Sequence, residues 1–109
     1  MTAATTASHT ATIDPDSAVE TLLEMLAIPG RSGEESAIAG FIIDRLKEAG
    51  VAASAIQSDT AHRQSPHGGE RGNLIVRLPG TRKGPRRLLM GHIDTVPLCV
   101  GCRPVRKGD

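Results

Sequence analysis

Leu88-Leu89-Met90-Gly91-His92-Ile93-Asp94-Thr95-Val96-Pro97 is the stretch on which the reading of this chain turns. A short apolar run bounded by turn formers is the pattern of a fully buried strand, and this one delivers a histidine and a carboxylate where the strand ends. Side chains alternate across a strand, so His92 and Asp94 are expected to project from one side, where each can position the other. Neutral imidazole is the commonest metal ligand among protein side chains, and a carboxylate beside it fixes its tautomer while partly balancing the metal's charge. His92 is therefore the candidate metal ligand and Asp94 the candidate catalytic support. An isolated H-x-D pair would read more simply as a hydrogen-bonded turn.

Working outward towards the amino terminus, Asp14-Pro15 predicts a helix start, with Asp14 as N-cap and Pro15 at the first helical position, where its missing N–H costs nothing. Val19, Leu22, Leu23 and Leu26 recur at helical spacing and predict one buried stripe, while Asp16, Glu20 and Glu24 lie on other faces. Ile28-Pro29-Gly30 ends that helix. Ser32 followed by Glu35 then predicts a capping box for a second helix. This assigns Glu34 and Glu35 to capping and dipole roles rather than to a pair of catalytic carboxylates. Ile38, Phe41, Ile42 and Leu46 carry the helical period on to Ala49, with Gly50 where a C-terminal cap belongs.

Three strand candidates follow: Val51 to Ser58, Asn73 to Leu78 and, strongest, Arg87 to Gly91. Two amino-terminal helices followed by a small mixed sheet suit α/β or α+β, and the assignment made is α/β. The polar, glycine-rich stretch from Asp59 to Gly72 predicts a mobile loop, which leaves His62 and His67 as poor ligand candidates.

The chain has 109 residues, 39% of them hydrophobic, with no Trp or Tyr and Phe41 as the one aromatic. Leu, Ile, Val and Ala must form any core, which is then modest. Residues 1 to 13 are mostly Ala, Thr and Ser and predict a disordered tail, with His9 solvated. That tail contains no arginine, against a transit peptide, and no apolar run follows Met1 or approaches a membrane span. The expectation is a cytoplasmic protein without a membrane partner.

Residues 1 to 50 carry 3 basic and 8 acidic side chains, whereas residues 51 to 109 carry 10 and 4. Arg77, Arg82, Lys83, Arg86 and Arg87 gather around Pro79-Gly80, but without interleaved aromatics to stack bases they read as a solvated connection and not as a nucleic-acid surface. Cys99-Val100-Gly101-Cys102 is a C-x-x-C with no second ligand pair, and reads as two reduced thiols. An adventitious metal shared by His92, Asp94, Cys99 and Cys102 is the alternative.

The Leu88–Pro97 stretch resembles the signature of the M20 family of zinc-dependent peptidases and amidohydrolases. Three further stretches agree with that family in order and spacing: Leu26 to Glu35, Gly72 to Val76 and Val105 to Asp109. The pattern looks closest to the tripeptide aminopeptidase, or peptidase T-like, branch. The resemblance implies a partial zinc-aminopeptidase-like catalytic domain over residues 14–109, with His92 as a ligand of one of two zinc ions and Asp94 as its supporting carboxylate.

Such a family member would supply its bridging carboxylate, glutamate base, further carboxylate ligands and distal histidine from sequence beyond Asp109. The resemblance thus implies metal-dependent hydrolysis of peptide or acyl-amino-acid amide bonds, on small peptide substrates, by a truncated chain that is inactive alone. A degenerate, non-catalytic fragment serving as a small binding or interaction domain is the other expectation.

Overall fold

Asp14 opens the first helix as its side chain predicts. In the computed structural model, which describes residues 11–108, α1 spans Pro15–Ala27, and the Asp14 carboxylate accepts the Asp16 and Ser17 N–H groups at 3.1 and 3.3 Å. These are two of the four N–H groups that a helix start leaves without intrahelical partners. Ile28 is extended, as a residue before proline must be, and the helix stops there. Asp14→Ala is expected to cost about 1 kcal/mol, checked as lost helical circular dichroism and a lower urea midpoint. The expected tail falls mostly on residues 1–10, and with His9 it lies outside the described residues.

The second helix, α2, spans Ser36–Glu48 and closes at the predicted glycine. Gly50 adopts φ +94°, and the Gly50 and Val51 N–H groups donate to the Lys47 and Leu46 carbonyls, both at 2.9 Å. This double bond pattern needs a left-handed residue, which glycine supplies without steric cost. The helix start departs from the sequence pattern. Glu35 is the N-cap residue but makes no capping bond, and Ser32 lies too far upstream to form the predicted box. The Ser36 N–H is met instead by the Glu70 carboxylate at 3.3 Å. A partner 34 residues away has replaced the local one, because the loop carrying Glu70 folds back onto this turn through its own N–H to the Gly33 carbonyl at 3.0 Å.

Strand β1, Ile56–Ser58, pairs antiparallel with β2, Leu74–Val76, in the register Ile56↔Val76, Gln57↔Ile75 and Ser58↔Leu74. Both fall inside predicted strand segments, and a 3-10 turn at Ala53–Ala55 precedes β1 within the first one. The order is therefore two helices and then a small sheet, an α/β composition. Arg87 to Gly91, the strongest candidate in the sequence, forms no strand. Leu88, Leu89 and Met90 are 80, 94 and 87% exposed. An apolar run becomes a strand only where another strand offers it a ladder of N–H and C=O groups, and neither described strand pairs with this run.

The core sits where α2 meets the turn after α1. Ile38 and Ala39 are buried, while Phe41, Ile42 and Leu46 are half-buried on the same helix. The predicted stripe on α1 is covered only in part: Val19 and Leu23 are half-buried, whereas Leu22 is 51% exposed. The radius of gyration, 17.8 Å, exceeds the roughly 13 Å of a compact 100-residue domain, so little apolar surface is available to cover that stripe. Arg45 ties the helices together, donating to the Thr21 hydroxyl at 2.9 Å and lying 5.8 Å over the Phe41 ring. The carboxy-terminal segment returns along α1 through Arg106 to Asp16 at 2.9 Å and the Cys102 thiol to the Leu26 carbonyl at 2.9 Å. No described helix is long and apolar enough to cross a membrane.

Candidate functional site

The turn after α1 and the segment after Met90 run side by side. Thr95 donates its N–H to the Gly30 carbonyl at 2.8 Å, and Arg31 and Thr95 form an isolated parallel bridge. This places Ser32 beside Asp94, 62 positions away in the chain, and the Ser32 hydroxyl donates to the Asp94 carboxylate. The other oxygen of that carboxylate lies 2.9 Å from His92 Nδ1, and the Asp94 carbonyl lies 3.0 Å from the same nitrogen. His92 and Asp94 thus meet as their spacing predicts, although by a different route. They meet across a loop held by Gly30 rather than on one face of a strand.

With Nδ1 directed at Asp94, the proton that neutral imidazole carries belongs on Nδ1, and the lone pair belongs on Nε2. The ring itself is 85% exposed, so Nε2 is accessible. The Ser32 hydroxyl first, and the His92 ring second, hold the Asp94 carboxyl below its ordinary range. Asp94 is accordingly a carboxylate at neutral pH and an acceptor towards both neighbours.

Ser32, His92 and Asp94 border an open cleft of about 570 Å³ that His62, His67 and Arg71 also line. The cleft brings part of the polar loop beside the His92–Asp94 pair. A 3-10 turn at Ala61–Gln64 half-buries His62, and its Nδ1 is buried with no hydrogen-bond partner among the described residues. Ser32 and His62 are two of the cleft residues that sequence reasoning assigned elsewhere. The first matched a local capping signature, and the second lies in a stretch whose glycines signal only a loop.

Glu34 and Glu35 do not form a carboxylate pair. Glu34 takes a two-pronged ion pair from Arg31 at 2.7 and 2.8 Å, which lowers its carboxyl, and Glu35 accepts the Gly33 N–H at 2.9 Å. Cys99 and Cys102 close one turn, with the Cys102 N–H to the Cys99 carbonyl at 3.1 Å. The shared metal set of His92, Asp94, Cys99 and Cys102 is not assembled: no group of three or more His, Cys, Asp or Glu side chains converges among the described residues. The Cys102 thiol is turned to the Leu26 carbonyl instead. Arg77, Arg82, Lys83, Arg86 and Arg87 lie exposed on the segment leading to Leu88, away from the cleft lining.

A catalytic zinc takes about three protein ligands and keeps one position open. His92 Nε2 is one nitrogen donor of suitable chemistry, oriented by a carboxylate in the way metal-bound histidines usually are. The described residues therefore fit one corner of such a centre and not a whole one, and no reaction step through a metal follows from them.

Compared with known proteins, the chain is similar to a protein of Thermococcus kodakarensis that bears the provisional name LysW-lysine/LysW-ornithine hydrolase, with 36% identity over 97 residues. The match covers 89% of this chain and 23% of that relative, so the chain spans less than a quarter of the relative's length. No family model and no solved structure matches it. The similarity is thus to a hydrolase, and it runs through the segments that build the His92–Asp94–Ser32 cluster.

Proposed function

We propose that residues 14–109 are the amino-terminal part of an M20-type catalytic domain, and that this chain carries the His92 corner of a metal-dependent site for hydrolysing amide bonds in small peptides or acyl-amino acids. The observation that carries the reading is the His92–Asp94 contact at 2.9 Å beside an open cleft. The resemblance to the M20 signature and the similarity to a hydrolase support it. A zinc ion bound there would polarise an amide carbonyl and acidify a bound water. What this chain's own residues do is narrower. Asp94 holds the imidazole and its proton at Nδ1, and His92 presents Nε2. The cleft wall offers Arg71 and His62 to whatever polar group enters.

Zinc binding tests the reading directly. In a Cys99→Ser/Cys102→Ser background, which removes the competing thiols, calorimetry is expected to show one zinc bound per folded chain. His92→Ala should abolish that binding, since it removes the nitrogen donor the site presents. Equal zinc binding by the folded His92→Ala chain, or none by a folded parent, overturns the proposal. The exposed Leu88–Met90 run favours a second reading, in which the chain acts as a small non-catalytic interaction domain. A folded chain that binds no zinc but self-associates or captures a partner through that run would support it.

A further inference from the structure

We infer that Ser32 is a positioning residue for His92, acting through Asp94. The inference rests on the reading of His92 as the group that meets the ligand, and it adds a residue which the H-x-D pattern does not contain. The argument is geometric. The terminal torsion of an aspartate is broad and roughly two-fold, so a carboxylate tied at one oxygen can swing and offer either oxygen to its neighbour. Here the two oxygens are tied to different groups, one to His92 Nδ1 and the other to the Ser32 hydroxyl. Two anchor points define the plane of the carboxylate, and that plane defines the plane of the ring it holds.

Ser32 is itself held in place. The Gly30 carbonyl accepts both the Thr95 N–H at 2.8 Å and the Thr95 hydroxyl at 3.4 Å, and the Arg31↔Thr95 bridge fixes the register of the two segments. Gly33, immediately after it, sits at φ +87°, with its N–H on Glu35 and its carbonyl receiving the Glu70 N–H. Backbone contacts on both sides thus aim the Ser32 hydroxyl at Asp94. Among these crossings, the Ser32 side chain is the one that reaches the histidine's partner. Its contribution is orientation of the lone pair on Nε2, not contact with substrate or metal.

The experiment is nitrogen-edited NMR of the His92 ring in the metal-free protein, at mildly alkaline pH where imidazole is neutral, comparing wild type with Ser32→Ala and Ser32→Thr. The wild-type ring is expected to be held with its proton on Nδ1. Ser32→Ala should move it towards the mixed tautomer population of a free imidazole, and Ser32→Thr, which keeps the hydroxyl, should restore the wild-type pattern. An unchanged ring spectrum in Ser32→Ala, or a Ser32→Thr spectrum as disturbed as that of Ser32→Ala, overturns the inference. Should Ser32→Ala fail to fold by circular dichroism, Ser32→Thr decides alone, because a threonine hydroxyl must reproduce the wild-type ring.

Zinc titration of the same proteins separates this inference from the proposed function. Ser32→Ala is expected to bind about tenfold more weakly than wild type, as loss of a supporting hydrogen bond outside the ligand shell typically does. A wild type that binds no zinc yet shows the Ser32-dependent ring signature overturns the metal reading and leaves the positioning role standing. A wild type that binds zinc with a ring indifferent to Ser32 does the reverse.

Discussion

Ile38→Ala is expected to unfold the α2 region and to release the site with it. Ile38 is 3% exposed, and besides Ala39 it is the sole hydrophobic residue fully withdrawn from solvent among those described. Truncating a buried isoleucine costs roughly 2–5 kcal/mol from lost transfer energy and the cavity left behind, against a total stability of about 5–15 kcal/mol for an ordinary domain. The effect should also travel. The Ile38 side chain lies against Gly30, so closely that a Cβ at Gly30 would stand 3.1 Å from it, and the Gly30 carbonyl holds Thr95 beside Asp94. Urea denaturation followed by circular dichroism should show the lowered midpoint, and the His92 ring signals should broaden or collapse towards those of a free imidazole. Leu89→Ala, at a residue 94% exposed, is the control and should change stability by no more than about 0.5 kcal/mol. A larger cost at Leu89 than at Ile38 would show that the core lies where the apolar run stands and not on α2.

Gly72→Ala should open the β1–β2 sheet. A Cβ at this position would overlap the Asp59 carbonyl and carboxylate, and backbone cannot move aside as a side-chain tip can. Forcing a methyl group into filled space costs about 1–3 kcal/mol, and here the filled space is the closure of the loop. Asp59 accepts the Asn73 N–H at 2.7 Å, the Ala61 N–H at 3.1 Å and the Asn73 side-chain amide at 2.9 Å, while its own N–H donates to the Asn73 carbonyl. The Asp59 and Arg77 amides flank the sheet, bonded to Asn73 and Ala55. Hydrogen exchange at these two should accelerate together in Gly72→Ala, and unchanged protection would show that the loop closes without this close approach.

Acid should produce the same loss. The Asn73 side chain foremost, then the Ala61 and Asn73 N–H groups, hold the Asp59 carboxyl below its ordinary value. A carboxyl depressed in the folded state contributes its full stability above the unfolded value, about pH 3.9, and loses it as pH falls through the folded one. Protection at Asp59 and Arg77 should therefore hold at neutral pH and decline on acidification below about pH 4, whereas Asp59→Asn, which does not titrate there, should show no such decline.

The contrast between Ile38 and Leu89 shows where sequence reading works. Both are apolar and both lie in segments with a clear pattern. The pattern on α2 repeats every three to four residues, which is a statement about one helix and needs only one neighbour to cover it. The run Leu88 to Met90 names no partner, and a strand without one is not a strand. The Ser32–Glu35 signature failed for a related reason: a capping box competes with any better acceptor the tertiary fold delivers, and the fold delivered Asp94 to Ser32 and Glu70 to the Ser36 N–H. Of the cleft, His92 and Asp94 were legible because two positions of spacing keep them within reach in loop or strand alike. Ser32 and His62 were not, since nothing within several residues of either marks what lies across the cleft.

What the sequence by itself determined is therefore local: the Asp14 cap, the Ile28-Pro29 stop, the Gly50 closure, the two helices with their apolar periods, and the His92–Asp94 pair. Each depends on backbone dihedrals or on side chains a few positions apart, where connectivity already brings the partners together. The tertiary structure alone decided which apolar segment is covered, which carboxylate meets the start of α2, and that Ser32 stands behind Asp94. Those choices are made between groups 34 to 65 positions apart, where chain entropy opposes contact and only the summed bonds of the Gly30–Thr95 and Gly33–Glu70 crossings hold the partners in place.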